Sequence, residues 1–236
     1  MFHERTSTDS LSEFMRYLAH HEEVSGQRLP ALDDLSRELG VSLASLREQL
    51  EVARALGLVE VKPRTGTKRL PYSFTPAVRQ SLSYAITYDR NNFEAFADLR
   101  QHVEIAYWYE AVQLLTLDDQ ENLRNLVASA WDKLRGNPIQ IPHNEHREFH
   151  LGIYRRLNNP FVKGLLEAYW GAYEAIGYNF YTDLNYLQEV WRYHQKMVDG
   201  ICNQDFDSGY KALNEHADLI YQLMASTPSE SVLHEN

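Results

Sequence analysis

The chain has one cysteine, Cys202, in 236 residues. A lone thiol cannot build an internal disulfide framework, so the fold has to be held by its core, as suits a reducing compartment. No stretch reaches the ~18 consecutive apolar residues of a spanning helix, and the opening MFHERTSTDS has no apolar run of the kind a secretion signal carries. These absences predict a cytoplasmic protein with no membrane partner. Positive charge is short as well: 23 Lys and Arg face 33 Asp and Glu, a net charge of −10. Taken whole, that balance opposes binding to phosphate backbones or anionic membranes. Glycine and proline number only 11 and 8 and fall at a few punctuation points. A Gly-rich phosphate loop, a GxSxG elbow and a nucleophile–base pair are also missing, so hydrolysis is disfavoured.

What is present suffices for a core. Hydrophobic residues make up 44% of the chain and aromatics 12%, which excludes wholesale disorder. Leu11, Phe14, Met15 and Leu18 recur at helical spacing and predict a first helix, capped by Asp9 or Ser10 and ending before Gly26. Leu32, Leu35 and Leu39 form a second stripe, stopped by Gly40 at a position suited to a left-handed C-cap. Val41, Leu46, Leu50 and Ala53 continue a third, with Ser42 as its N-cap. Two short helices joined by a turn of about four residues containing Gly have the spacing of a helix-turn-helix. Leu58, Val59 and Val61, the turn Pro63-Arg64-Thr65-Gly66 and the return Thr67 to Leu70 then read as a β-hairpin, or wing.

Pro71 and Pro76 bracket a connector, the natural boundary. Beyond it the periodicity predicts only helices, at about 76–88, 92–117, 119–135, 143–157, 159–181, 183–203 and 206–225, with Asp118, Asn159-Pro160, Asp183 and Asp205 as start signals. The expected division is a winged helix-turn-helix over 1–70, a linker over 71–76, a helical domain over 77–226 and a polar, frayed tail over 227–236. Short loops between the later helices imply an antiparallel bundle, so the expected class is mainly α with one small hairpin. Charge divides along the same line. Residues 1–70 hold ten basic and eleven acidic side chains, whereas 71–236 hold thirteen and twenty-two. Within 47–69, Arg47, Arg54, Lys62, Arg64, Lys68 and Arg69 outnumber Glu48, Glu51 and Glu60, placing positive charge where a winged helix meets phosphates.

Ten histidines are present, and spacing separates four of them from the rest. In HNEHREFHLGIY, His146 and His150 lie four apart on one helical face. His194 in WRYHQKMVDGI and His216 in ALNEHADLI sit in the middle of the last two helices. Three helices of one bundle can thereby aim four nitrogen ligands at a shared interior point. A His pair at this spacing also serves as a surface or satisfied core feature, so spacing leaves both uses open. A zinc hydrolase would need HExxH, yet Arg147 follows the first histidine. His3, His20, His21, His102, His143 and His234 have no comparable arrangement and are expected in solvent.

The order of winged helix, short linker and acidic helical bundle resembles the GntR superfamily of bacterial transcription regulators, in its FadR-like branch with the FCD ligand-binding domain. Leu29-Pro30, Leu35-Ser36, Leu39-Gly40-Val41-Ser42, Leu46-Arg47-Glu48, Leu56-Gly57-Leu58-Val59 and Gly66-Thr67 carry the first half of the resemblance. Leu99-Arg100, Phe149-His150, Asn158-Asn159-Pro160, His194 and His216 carry the second. The resemblance implies a divalent ion held by His150, His194 and His216, with His146 standing where metal-binding members have an aspartate. An all-nitrogen set is softer than one containing a carboxylate and favours Zn²⁺ or Ni²⁺ over Mn²⁺ or Mg²⁺. It further implies a small organic acid as effector, with Arg100, Tyr154 and Tyr193 beside it; Trp108, Tyr169, Trp170, Tyr173 and Tyr178 are candidate walls. On the DNA side it implies that Ser42, Ser45, Arg47, Arg64, Thr65, Gly66 and Lys68 face the operator and that the protein acts as a homodimer, two half-sites matching a two-fold axis. Asp33 and Leu43 stand where the family generally carries arginines, so the operator should differ from the usual half-site. The expected function is a metal- and carboxylate-responsive DNA-binding regulator. The alternative is a metal-dependent enzyme or metal-binding bundle with a vestigial DNA-binding domain.

Overall fold

A computed structural model of the chain describes residues 10–20, 28–64, 66–176 and 184–226. They form two compact units that divide between Tyr88 and Asp89. The first contains α1 (Glu13–His20), α2 (Leu32–Leu39), α3 (Leu43–Ala55), β1 (Val59–Lys62), β2 (Gly66–Arg69) and α4 (Thr75–Tyr88). Phe14, Leu18, Leu35, Leu46, Leu50 and Val59, the residues of the sequence stripes, close one core among the three helices and the hairpin. Gly40 adopts φ 68° at the end of α2, and the Ser42 hydroxyl caps α3 by accepting from the Ser45 amide. The α1 cap is Ser12, whose Oγ accepts from Met15 N at 3.4 Å; Asp9 and Gly26 lie outside the described residues. In the antiparallel hairpin Val59 pairs with Arg69 and Lys62 with Gly66. A further bridge joins Arg28 to Lys68, and Leu29 N donates to Thr67 O at 2.9 Å. The hairpin therefore gains a third extended segment that alternation in the sequence does not reveal.

One boundary differs from expectation. Helix α4, assigned by sequence to the bundle beginning at 77, belongs to the first unit. The cause is local packing: Gly57, at φ 71°, admits Pro76 so closely that a Cβ there would lie 2.4 Å from Pro76 Cγ. Pro76, read as one end of a linker, instead anchors the start of α4 against the end of α3.

The second unit comprises α5 (Asn92–Gln113), α6 (Leu117–Arg135), α7 (His143–Tyr154), α8 (Pro160–Ile176), α9 (Leu184–Cys202) and α10 (Phe206–Ser226). Asn159 and Asp205 cap their helices as the sequence predicts, and Asp183 lies outside the described residues. Asn159 Oδ1 accepts from the amides of Phe161 and Val162 at 3.0 and 3.2 Å, and Asp205 Oδ1 accepts from Ser208 N at 3.2 Å. At α6 the cap is Thr116 rather than Asp118; Thr116 and Asp119 form a reciprocal capping box, so α5 stops earlier than its apolar period suggests. Asp119 also accepts from Arg156 Nε at 2.8 Å, tying α6 to the end of α7. The core runs through Trp108, Val127, Leu134, Phe149, Ile153, Leu166, Trp191 and Met197.

The last two helices cross on glycine. A Cβ on Gly200 would lie 2.7 Å from Gly209 N and 2.8 Å from Asp205 O, and a Cβ on Gly209 would lie 2.6 Å from the Trp108 ring. Trp108 Nε1 donates to Phe206 O at 3.0 Å, so α5 locks the same crossing. Backbone atoms cannot retreat as a flexible side chain can. Gly200→Ala is therefore expected to lower stability by about 2–3 kcal/mol, the cost of overpacking a rigid contact, and a denaturant midpoint equal to the parent's would refute the close crossing. No helix among the described residues is long and apolar enough to cross a membrane.

Candidate functional site

Helix α7 presents His146 and His150 inward, α9 presents His194 and α10 His216. All four are buried, with exposures of 7%, 0%, 0% and 1%. Each offers a ligand atom such that the four lie within 4.8 Å of one another. His150 Nε2 is 3.1 Å from His194 Nε2. Two nitrogens each about 2.0–2.1 Å from a single ion, at octahedral to tetrahedral angles, would be about 2.8–3.4 Å apart, so the spacing suits a shared ion. It would equally suit one N–H···N bond, and the remaining nitrogens favour the ion. Among the described residues His216 Nε2 is buried with no hydrogen-bond partner, a deficit that an ion held on that nitrogen would remove.

Electrostatics set the rings in the form that can ligate. Burial pushes the His146, His194 and His216 imidazoles well below their ordinary range, and repulsion from the neighbouring histidines and Arg100 adds to this. His150 is lowered too, by burial, with Glu104 opposing. Neutral imidazole is the ligating species. The surroundings are aromatic: the Trp170 ring meets His146 edge-on at 4.8 Å, while Phe149 and Trp191 lie 4.7 and 4.6 Å from His194.

Beside the cluster lies an ion pair that sequence reasoning half missed. Arg100 and Glu104, one turn apart on α5, are buried at 4% and 1% exposure, and Arg100 Nη1 donates to Glu104 Oε2 at 2.6 Å. The same oxygen is 3.3 Å from His150 Nδ1. Burial pushes the Glu104 carboxyl up, but Arg100 and His150 together pull it below the ordinary carboxylate range. The Arg100 guanidinium lies 4.4 Å above the Tyr169 ring. Arg100 Nε and Glu104 Oε1 have no hydrogen-bond partner among the described residues, leaving one donor and one acceptor within the site. Phe93, Ala97, Arg100, Glu104 and Trp108 all fall on the buried stripe of α5, and that periodicity could have exposed Glu104. Tyr154, expected near the effector, is buried and donates its hydroxyl to Glu104 O at 2.9 Å.

In the winged unit, Arg47 is exposed on α3, while Arg64 (φ 69°), Gly66 (φ 78°) and Lys68 surround the hairpin tip. Thr65 lies outside the described residues. Ser42 and Ser45 have structural duties: besides the cap, Ser45 Oγ accepts from Gln49 Nε2 at 3.2 Å, and Gln49 Oε1 accepts from Phe14 N at 2.9 Å. Two of the counted cations are paired, Arg54 with Glu51 and Lys62 with Glu60. Arg28 joins the face unannounced; a Cβ on Gly66 would come within 2.9 Å of its Nε. Asp33 is exposed and Leu43 half-buried.

Residues 95–219, which lie within α5–α10 and hold every histidine of the cluster, match the FCD domain family. The chain belongs to that family. Preceded by a winged helix-turn-helix, the FCD domain completes the architecture of the GntR superfamily that the motifs resemble. An HTH-type transcriptional regulator of Escherichia coli K12, YieP, is 25% identical over 198 residues, 79% of this chain and 81% of its own. YcbG of Bacillus subtilis 168, likewise named an HTH-type transcriptional regulator, is 24% identical over 193 residues, covering 81% and 78%. The solved structure of Streptococcus agalactiae GntR shares the fold, with a TM-score of 0.65 at 18% identity over 89% of this chain and 95% of that one. The protein thus has the make-up of a GntR-superfamily transcription regulator.

Within the FCD domain one expected effector residue is misplaced. Tyr193 points away from the histidines: Lys196 Nζ lies 4.6 Å over its ring, and Glu215, Glu189 and Asp218 are its charged neighbours. It precedes His194 by one residue, a rotation of about 100° around α9. Trp108 serves the helix crossing rather than the cluster, whereas Tyr169, Trp170 and Tyr173 do surround the site. Tyr178 lies outside the described residues. His20, His102 and His143 are exposed, as expected; His3, His21 and His234 fall outside.

Proposed function

We propose that the FCD domain of this regulator senses a divalent metal, zinc or nickel, together with a small organic acid, and that the protein binds operator DNA as a homodimer. The observation that carries this reading is the buried cluster of four imidazoles beside a buried arginine. His146, His150, His194 and His216 would hold the ion, which when bound supplies positive charge and coordination positions open to a carboxylate. Arg100 would hold a second point of the same carboxylate through its guanidinium fork, and Tyr169 and Trp170 shield it from water. Signalling requires only that the effector bind two arrangements of the protein unequally. On the DNA side, Arg47, Arg64 and Lys68 would meet phosphates or base edges, with Arg28 beside them; Ser42 and Ser45 act first as helix caps.

The test joins metal analysis to DNA binding. Purified protein should carry close to one zinc or nickel per chain, and selected genomic fragments should be retained at moderate salt with an affinity that changes when metal is removed. Arg47→Ala should weaken retention and reduce the slope of log affinity against log salt by about 1. Fragments never held above non-specific levels, or held identically with and without metal, would overturn the reading.

A further inference from the structure

Each imidazole has two ring nitrogens, so the orientation of each ring depends on what its second nitrogen meets. For His150 that partner is on α5. We infer that Glu104 is the positioning residue of His150: it fixes the imidazole N–H on Nδ1 and so turns the Nε2 lone pair toward the other histidines. The inference rests on the metal-sensing reading for its purpose, but its geometry stands separately. Glu104 Oε2 lies 3.3 Å from His150 Nδ1; in this ring orientation the pair is not aligned as a hydrogen bond, and a small ring rotation would make it one. The other nitrogen, Nε2, faces His194 Nε2 at 3.1 Å. A neutral imidazole has one donor and one acceptor; with an ionised carboxylate against Nδ1, the proton goes there.

Two further contacts keep the carboxylate in place. Arg100 Nη1 donates to the same Oε2 at 2.6 Å, a charge-assisted bond within the buried site. The Tyr154 hydroxyl donates to the Glu104 carbonyl at 2.9 Å, fixing α5 against α7 at that residue. Carboxylates that accept from the far nitrogen of a ligating histidine orient the ring and raise its basicity. Glu104 has the connectivity for this role. It has the charge as well, since the cluster itself contributes no carboxylate to offset a dication and Arg100.

Two variants separate positioning from mere stability. Glu104→Gln keeps the shape but not the charge; its zinc affinity, measured by competition with a chelator, should fall about 10- to 100-fold. Arg100→Met/Glu104→Met removes both buried charges together and so strands neither. In the metal-free parent, long-range ¹H–¹⁵N correlation spectra should show His150 protonated at Nδ1, and in the double variant that signature should be lost or mixed. A His150 tautomer unchanged in the double variant, or a Glu104→Gln zinc affinity within about twofold of the parent, would overturn the inference. A parent that binds no zinc would defeat the metal-sensing reading instead, and the tautomer measurement on metal-free protein would still decide the hold of Glu104 on His150.

Discussion

Arg100→Ala should lower the unfolding free energy by about 3–5 kcal/mol, the cost of leaving one member of a buried pair without its counter-charge. Glu104 keeps 1% exposure and loses the 2.6 Å donor that offsets its desolvation, while the weaker contact to His150 remains. The deficit should depend on pH with a definite sign. In the parent, Arg100 holds the Glu104 carboxyl below its ordinary range, so this pair stabilises above that range and its contribution fades as pH falls. In the variant, burial acts unopposed by arginine and raises the carboxyl, a shift whose cost is greatest at neutral pH and is relieved by protonation. The gap between parent and variant should therefore narrow as pH drops toward the usual glutamate value of about 4.3. Arg100→Met/Glu104→Met should recover most of the loss. Urea melts at several pH values measure all three proteins; a single-variant loss under about 1 kcal/mol, flat with pH, would show that the pair is not sequestered as described.

His194→Ala should abolish stable metal loading. The ring is fully buried and touches every other member of the cluster, at centroid distances of 4.9, 5.1 and 4.6 Å from His146, His150 and His216. Spreading a structural-zinc free energy of about 10–16 kcal/mol over four ligands assigns each roughly 3–4 kcal/mol, an affinity loss on the order of 100- to 1,000-fold. The thermal response should follow: zinc at 100 times the parent's dissociation constant stabilises the parent by about 2.7 kcal/mol and the variant hardly at all. His143→Ala, exposed at the start of the same helix α7, should load normally. Equal zinc content in the His194 variant and the parent would remove this residue from the site.

Much of the architecture was legible because it depends on short-range physics. Apolar spacing located every helix from α4 to α10, and Gly40 and Ser42 marked the turn between α2 and α3 through a left-handed φ and a side-chain cap. What failed was non-local. Pro71 and Pro76 look like a linker in sequence, and only the empty side of Gly57 explains why α4 packs under α3. Arg28 reaches the wing across a long separation that no periodicity encodes. At the site, the i, i+4 pair His146 and His150 was readable and its convergence with His194 and His216 was a geometric guess that the fold makes concrete. Glu104 was missed because a charged residue suggests a surface, although its register with Phe93, Ala97 and Trp108 places it inside. Tyr193 immediately precedes His194, which on a helix means a different face, and its ring lies under Lys196 Nζ.

The meeting of α7, α9 and α10 at four imidazoles also has a topological meaning. An ion joining residue 150 to 194, and 194 to 216, would close loops of roughly forty and twenty residues, and closure of such loops removes disorder from the unfolded chain much as a covalent bridge does. In a chain with a single thiol, an ion bound as proposed would double as a cross-link, and a cell's metal supply would then set the lifetime of the regulator as well as its message.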